Sequence, residues 1–179
     1  MASPTQVPPH PVDIAEDLSL FLWEHIVDSL VHLIYASVAT RPLDSAELVE
    51  LLENARTANA EIDVTGLLLY ESGSFFQVIE GPEDVVLTIF ARIQYDSRHQ
   101  QIVKIIAEPI ERRDFGDWTM AFAGPTREEL SRIEGLNDFF TRGEMFASLG
   151  RGRAKRLLAA FRGGSWRRKL DASAPAMSC

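Results

Sequence analysis

A glutamine in the middle of an apolar strand is the first residue of this sequence that suggests chemistry. The stretch SFFQVIEG, residues 74–81, combines aromatic and β-branched residues and is bounded by a glycine on one side and a Gly-Pro pair on the other, which is typical of a β-strand. Strand side chains alternate between the two faces of a sheet, so Gln77 shares a face with Phe75 and Ile79. The pattern therefore predicts a primary amide on a face that points into a core.

Other polar or polarizable side chains fall on the same predicted face. Tyr35 lies in an apolar strand, Asn59 comes near the C-terminal end of a helix, and Trp118 and Met120 share one face of a short fifth strand. An amide or phenol that is buried without a partner costs about 1–3 kcal/mol. Each residue alone is compatible with an ordinary core or strand-edge position. Together they indicate either mutual pairing or a flat, polar ligand.

Alternating helix and strand signals predict the elements that hold these residues. A strand at residues 29–37 precedes a helix that begins at Asp44 or Ser45 and ends near residue 60. The two runs of DVTGLLLYESGSFFQVIEG form a hairpin around ESGS, where Gly73 can take a positive φ. Pro82 opens a second helix over residues 82–95, which is followed by a fourth strand, IVKIIAEPI, and a fifth, DWTMAFA.

The order β-α-β-β-α-β plus a strand predicts an α+β fold of the ferredoxin-like type. This is a sandwich with a five-stranded mixed or antiparallel sheet and two helices on one face. Residues 126–161 are predicted to be helical in two pieces, broken by Gly135 and by the region from Gly143 to Gly152. Because the first two helices occupy one face, the C-terminal pieces are expected to cover the other.

These residues resemble a known family, the BLUF domains, which are blue-light sensors that use FAD. The resemblance covers about residues 30–123 and rests on LVHLIYAS with Tyr35, NAEIDVTGLLLY with Asn59, FFQVIEGP with Gln77, an Arg-His pair, and RRDFGDWTMAF. Asn59 lies 24 positions and Gln77 42 positions after Tyr35, and these separations agree with the family pattern without gaps.

The resemblance implies an FAD whose flavin ring is held non-covalently between the two helices. In this arrangement Gln77 lies between Tyr35 and the flavin N5/O4 edge, and Asn59 hydrogen-bonds the C2/C4 carbonyl and N3 edge. A glutamine suits this place because its amide offers interchangeable donors and an acceptor. Light would move an electron and a proton from Tyr35, leave Gln77 rearranged and shift the absorption to the red. Ala58 departs from the family pattern, in which a second polar residue stands beside the asparagine.

The resemblance also implies roles for residues at the ends of strands. Arg98 and His99 resemble positions that contact the ribityl and phosphate part of FAD, although their turn-like segment is also compatible with simple solvation. Ser37 resembles a serine near the flavin ring or near Trp118. Trp118 and Met120 are implied to relay the signal through the fifth strand to the C-terminal helices.

Two other functions stay open at this point. A small flavin-dependent or hydrolytic enzyme on the same fold would need a nucleophile or a general base with an orienting partner. His32 is predicted on the face opposite Tyr35, His99 has no carboxylate partner by motif, and a glycine-rich phosphate loop is missing. We therefore predict that the chain is not an enzyme and holds no metal. The other alternative is a light-regulated binder of nucleic acid.

The nucleic-acid alternative arises from the distribution of charge. Residues 1–150 hold 25 acidic and 10 basic side chains, net −15, whereas residues 151–179 hold 8 basic and one acidic side chain, net +7. Such a basic end can be an arm for nucleic acid or anionic lipid, or a solvated tail or helix held against the acidic body. We expect the second of these, so that nucleic acid is not the predicted partner.

We divide the chain into four parts. Residues 1–29 form an extension with a disordered, proline-rich start and then a helix, 30–124 the BLUF domain, 125–162 C-terminal helices packed on the sheet, and 163–179 a basic, disordered tail. The apolar residues around Trp23 predict that the extension builds a homo-oligomer interface. The downstream protein partner is not identified by the sequence.

The sequence predicts a cytoplasmic protein. Its apolar runs are far shorter than the roughly 20 residues of a membrane span. A positively charged region typical of a secretory signal does not precede Arg41. The single cysteine, Cys179, can form no internal disulfide, which is compatible with a reducing compartment.

Overall fold

The structure, a computed structural model, describes residues 29–163 except for the side chains of residues 137 and 138. The predicted N-terminal helix and basic tail therefore lie outside the described residues, apart from Ser29 and Gly163. Five strands form one sheet in the order β4-β1-β3-β2-β5. Neighbouring strands are antiparallel except β2 and β5, which are parallel. The strands are β1 Leu30–Ala39, β2 Thr65–Glu71, β3 Ser74–Pro82, β4 His99–Pro109 and β5 Ala121–Ala123.

The helices fall into two groups along the chain. The helices between strands are α1 Ser45–Glu61 and α2 Glu83–Gln94, and after β5 come α3 Arg127–Ser131, α4 Asn137–Thr141, a 3₁₀ turn Phe146–Ser148 and α5 Arg151–Arg162. The predicted α+β, ferredoxin-like fold is confirmed. The two predicted C-terminal pieces are three helices and a 3₁₀ turn in the structure. Gly135 and Gly143 lie at predicted breaks and take φ values of +78° and +81°, but the first helix already ends at Ser131.

Local sequence signals account for the main boundaries. The Asp44 side chain accepts a hydrogen bond from the Glu47 N–H, and the Glu47 side chain reaches back to the Asp44 N–H, so a capping box starts α1. Between β2 and β3, Ser72 and Gly73 have φ values of +48° and +79°. Two successive positive φ values make the tight hairpin turn that matches the twist of the strands. The prediction for Gly73 is confirmed.

The two faces of the sheet have different cores. The C-terminal helices cover one face with a single continuous cluster, which includes Ile34, Phe76, Phe115, Phe140, Phe146, Leu157 and Phe161. The face under α1 and α2 has two separate clusters. The cluster under α2 contains Val31, Leu33, Tyr35, Val64, Ile79, Val86 and Phe90. The cluster under α1 contains Ala39, Leu52, Leu68, Phe75 and Met120. The line between these two clusters is the position of the candidate site.

Candidate functional site

Tyr35 and Gln77 are direct neighbours across the centre of the sheet. They are Cα partners in the antiparallel pairing of β1 and β3, and the Tyr35 hydroxyl donates a hydrogen bond to Gln77 Oε1. Tyr35 has no exposed surface, and its ring packs on Phe90 of α2 with 5.5 Å between centroids. Burial raises the pKa of Tyr35 well above its usual value of 10.0. The phenol is therefore protonated at neutral pH and acts as the donor to Gln77.

Gln77 stands at the line where the two clusters part. Its neighbours on the same face of β3 are Phe75, which belongs to the α1 cluster, and Ile79, which belongs to the α2 cluster. Both of these are completely or almost completely buried, whereas Gln77 is only partly buried. Its Nε2 group donates to the Met120 sulfur at 3.8 Å. Because a thioether is a weak acceptor, the amide keeps most of its capacity to donate to another group.

Two side chains in the last turns of α1 donate hydrogen bonds to the backbone just before β5. Asn59 is buried, and its Nδ2 donates to the Thr119 carbonyl oxygen at 2.7 Å. One turn earlier, Arg56 Nε donates to the Met120 carbonyl oxygen at 3.1 Å. Sequence analysis predicted Asn59 but missed Arg56 and the Thr119 carbonyl. Backbone acceptors of this kind have no sequence signal, since any residue can supply them.

Trp118 and Met120 lie on different sides of the sheet, which corrects the prediction that they share the helix-covered face. Met120 is 3% exposed and contacts Gln77, whereas Trp118 is 37% exposed. The Trp118 ring lies 6.2 Å from Phe115 and 6.5 Å from Phe161, within the face covered by α5. The predicted fifth strand is shortened to three residues. Residues 117–120 are turns and bends, so the alternation of a strand does not apply to them.

Ser37 and His99 meet on the same face as Tyr35. The Ser37 hydroxyl lies 2.8 Å from His99 Nδ1, and the His99 ring packs on Phe75 with 4.7 Å between centroids. Burial lowers the pKa of His99 from 6.5, against the effect of the nearby Asp96. A neutral imidazole is therefore favoured. Two places were expected for Ser37, near the flavin ring or near Trp118. The structure places Ser37 beside His99 and Phe75 and not beside Trp118.

Arg98 borders a cavity at the end of the same face. Its guanidinium forms an ion pair with Asp96, with 2.6 Å between Nη2 and Oδ2, and this contact lowers the pKa of Asp96. The cavity has a volume of about 160 Å³ and is lined by Thr40, Arg41, Leu43, Glu47, Glu50, Leu51, Asn54 and Arg98. It opens between the first half of α1 and the start of β4. Sequence analysis predicted Arg98 but missed Arg41, which follows β1 in a turn.

Comparison with known proteins decides the family. A family model described as "Sensors of blue-light using FAD", BLUF, matches residues 30–121. This match covers more than half of the 179 residues. The chain belongs to the BLUF family.

Solved BLUF structures share this fold. BlrB, a BLUF protein in its dark state, is 31% identical with a TM-score of 0.63, over 77% of this chain and 98% of that chain. BlsA in its ground state is 29% identical with a TM-score of 0.63, over 74% of this chain and 87% of that chain.

The curated relatives are much longer proteins. The beta subunit of photoactivated adenylate cyclase from Euglena longa is 35% identical over 123 residues, which are 68% of this chain and 14% of the relative. The blue light- and temperature-regulated antirepressor BluF of Escherichia coli strain K12 is 37% identical over 87 residues, which are 49% of this chain and 22% of the relative. The chain therefore spans less than a quarter of the length of either relative.

The residues of this BLUF chain fit a flavin. A flat ring needs apolar walls and a polar edge, and the line between the two clusters offers both. Leu51 and Ala55 of α1 pack against one cluster, Ile89 and Ile93 of α2 pack against the other, and all four are only partly buried. Within residues 29–163, no group of three or more His, Cys, Asp or Glu side chains is placed to hold a metal ion. The described helices include none that is long and apolar enough to cross a bilayer.

Proposed function

We propose that this chain is a blue-light photoreceptor that binds FAD non-covalently between α1 and α2, with Tyr35 and Gln77 as its photochemical pair. The observation that carries this proposal is the hydrogen bond from the buried Tyr35 hydroxyl to Gln77, at the line where the two clusters part. The Gln77 amide lies at that line, and its Nε2 group donates to the weak Met120 sulfur acceptor. The hydrogen bond satisfies the Tyr35 hydroxyl, whereas the Nε2 group of Gln77 can still donate to a ligand.

The geometry supports proton movement from Tyr35 through Gln77. When bound, the flavin supplies an electron acceptor that is strongly oxidising after it absorbs blue light. With the flavin bound, Tyr35 would give one electron to it, and the hydroxyl proton of Tyr35 would leave along the existing hydrogen bond to Gln77 Oε1. When the electron and proton return, Tyr35 is a neutral phenol again. The side-chain amide of Gln77 is left rotated or tautomerised, with its donor and acceptor exchanged, and no substrate is consumed.

Four other residues are proposed to hold the cofactor. Asn59 would bind the carbonyl and N3 edge of the ring, and Ser37 and His99 would lie along its ribityl side. Arg98 would contact the phosphates, because its guanidinium borders a cavity that also has Leu51 of α1 in its lining. The Asp96 carboxylate is paired with the Arg98 guanidinium. Arg98 can therefore bind a phosphate only if the two anions share the guanidinium or the phosphate replaces Asp96.

The signal is proposed to leave through the short segment before β5. Met120 contacts Gln77 inside the site, and Trp118, two residues earlier, contacts Phe161 of α5. A rearranged Gln77 presents a different group to the Met120 sulfur. A resulting shift of Met120 can pass along the backbone to Trp118 and from its ring to α5.

The test is an absorption spectrum of the purified protein before and after blue illumination. We expect a yellow protein with a small, reversible red shift in the wild type. In Gln77→Leu we expect flavin to bind and the shift to disappear. A colourless protein from flavin-replete cells would refute FAD binding, and an undiminished red shift in Gln77→Leu would refute the role of the amide.

The output is proposed to pass by contact with a partner protein or through an oligomer interface. The relatives named above are a photoactivated cyclase subunit and a light-regulated antirepressor, and most of their length lies outside the matched region. The apolar residues around Trp23 favour a homo-oligomer of this chain. Removing residues 1–28 should therefore reduce the apparent size in size-exclusion chromatography. An unchanged elution volume, beyond the lost mass, would refute this interface.

A further inference from the structure

A buried carboxylate lies on the opposite face of β3 from Gln77. Glu80 is three residues further along the strand and has no exposed surface. Its Oε2 accepts a hydrogen bond from the Phe115 N–H at 2.9 Å, and its Oε1 accepts one from the Asp114 N–H at 3.2 Å. Burial raises the pKa of Glu80, while these two N–H groups act in the opposite direction. Both oxygens are thus used as acceptors for the backbone of one short segment.

That segment, residues 110–120, crosses the sheet from β4 at one edge to β5 at the other. At its start the Ile110 N–H donates to the Leu30 carbonyl on β1, at 2.9 Å. At its end the Gly66 N–H on β2 donates to the Trp118 carbonyl, at 3.2 Å. The hydrogen bonds of Glu80 hold its middle from β3, which lies between β1 and β2. Each of the three central strands therefore contributes one attachment.

The same segment supplies two contacts of the site. The Thr119 carbonyl accepts from Asn59, and the Met120 sulfur accepts from Gln77. These contacts follow the Glu80 attachment by only four and five residues, counted from Phe115. The Trp118 N–H also donates to the Phe115 carbonyl at 2.9 Å, so a hydrogen-bonded turn connects the Glu80 attachment to these two contacts.

Two surface ion pairs also touch the segment. Arg113 pairs with Asp63 at 2.7 Å, and Arg162 pairs with Asp114 at 3.1 Å. The Arg113 side chain is 15% exposed and Asp63 78%, and the Arg162 and Asp114 side chains are 49% and 20% exposed. Each pair thus has one well-exposed partner, so water screens it in part. Glu80 differs because both of its oxygens accept backbone N–H groups of the segment from a position with no exposed surface.

We propose that Glu80 is a positioning residue of the flavin site, because its carboxylate fixes the segment that presents Thr119 and Met120. This inference rests on the proposed function. It assigns to the face covered by α5 a role in the geometry of the face covered by α1 and α2. Gln77 and Glu80 then act on one backbone segment from opposite sides of the same strand.

The substitution Glu80→Gln tests this role with almost no change in size. The glutamine keeps one acceptor but directs an NH₂ group at one of the two backbone donors, so that attachment is lost. The first measurement is amide hydrogen exchange in the flavin-free protein. We expect the amides of Asp114 and Phe115 to exchange about tenfold faster, while amides of β1 and β3 keep their protection.

The second measurement is the affinity for FAD, followed by flavin fluorescence, together with the light-minus-dark spectrum. We expect Glu80→Gln to weaken FAD binding about tenfold and to alter the position of the red-shifted band. Glu80→Asp keeps the charge but shortens the reach by one methylene, so we expect smaller effects in the same direction. If Glu80→Gln does not fold, Glu80→Asp is measured in its place and judged by the same outcomes.

Glu108→Gln is the matched control, because Glu108 is a carboxylate on the same sheet face that does not touch the segment. It contacts His32 at 3.1 Å and Lys155 at 2.7 Å. We expect normal exchange at Asp114 and normal FAD affinity in this variant. Equal effects in the Glu80 and Glu108 variants would overturn the proposal, as would faster exchange in Glu80→Gln with unchanged affinity and spectrum. Wild-type protein that binds no flavin would refute the proposed function, whereas the exchange result tests the attachment independently.

Discussion

The hydrogen bond between Tyr35 and Gln77 makes a prediction about stability that needs no light. In Gln77→Leu the Tyr35 hydroxyl loses its acceptor, and it has no exposed surface through which to reach water. An unsatisfied buried polar group costs about 1–3 kcal/mol. The leucine regains part of this by burial, because Gln77 is only partly exposed. We therefore expect the free energy of unfolding of the flavin-free protein to fall by about 1–2 kcal/mol.

A double-mutant cycle isolates the pair itself. In Tyr35→Phe the hydroxyl is removed, and the partly exposed Gln77 amide can turn to water, so the expected loss is smaller, about 0.5–1.5 kcal/mol. In the double variant no buried polar group is left unpaired. Its loss should therefore fall short of the sum of the single losses by about 1 kcal/mol. The assay is urea unfolding of flavin-free protein, followed by circular dichroism.

The photochemical measurement is made on the same four proteins, and the control needs two more. A matched change away from the pair is Ile133→Val, because Ile133 packs against the cluster on the opposite face of the sheet, and it should add to Tyr35→Phe without coupling. All three variants of the pair should lack the light-induced red shift, while Ile133→Val should retain it. If Tyr35→Phe and Gln77→Leu were additive within about 0.5 kcal/mol, the hydrogen bond would not contribute as the structure indicates.

Three further predictions concern other parts of the fold. Asn59→Ala removes the donor to the Thr119 carbonyl and should weaken FAD binding about tenfold in a fluorescence titration; unchanged affinity would contradict its role. Arg127→Ala removes the cation 2.9 Å from the buried Glu71 carboxylate, which keeps its bond from Ser72, and also removes the Arg127 bonds to the Phe140 and Glu144 carbonyls. Urea unfolding should therefore show a loss of about 1–3 kcal/mol, and an unmoved midpoint would be inconsistent with this. Because burial lowers the pKa of His99 below 6.5, the folded state binds this proton less well, and stability should fall as pH drops below 6.5; His99→Gln should flatten that dependence, measured as urea midpoints at several pH values.

The sequence predicted the contact between Tyr35 and Gln77 only in part. Side chains alternate regularly between the two faces of a strand, so the sequence could predict that Tyr35 and Gln77 share a face. Their pairing as direct Cα partners could not be predicted, because register depends on how β1 meets β3 and not on either strand alone. That register turns two polar residues on one face into a hydrogen-bonded pair. The flavin contacts assigned to Asn59, Ser37, Arg98 and His99 stay predictions.

The position of Trp118 shows where sequence patterns fail. The stretch DWTMAFA has the composition of a strand, but only its last three residues join the sheet. Before them, the backbone is held by Asn59, Arg56 and Gly66, which are distant in sequence. Contacts of this kind override local propensity, and they send Trp118 towards α5 while Met120 faces Gln77. The cavity beside Arg98 was also unpredicted, since it forms between elements separated by more than forty residues.

The separation of the core under α1 and α2 links stability to function in this fold. Domains usually have one contiguous core with smaller satellite clusters, and the described face covered by the C-terminal helices forms one continuous cluster. The apolar residues of the other face form two clusters, and Gln77 lies at the line between them. A ring placed along that line would contact both clusters and the Gln77 amide, so a rearrangement of Gln77 would change the contacts of the ring with both clusters. Thr119 and Met120 contact the site, and Asp114 and Phe115 of the same segment are bonded to Glu80 on the opposite face. In the relay that we propose, a firm attachment on that side would let a small movement of the Gln77 side chain become a displacement at Trp118 and not dissipate in a loose loop.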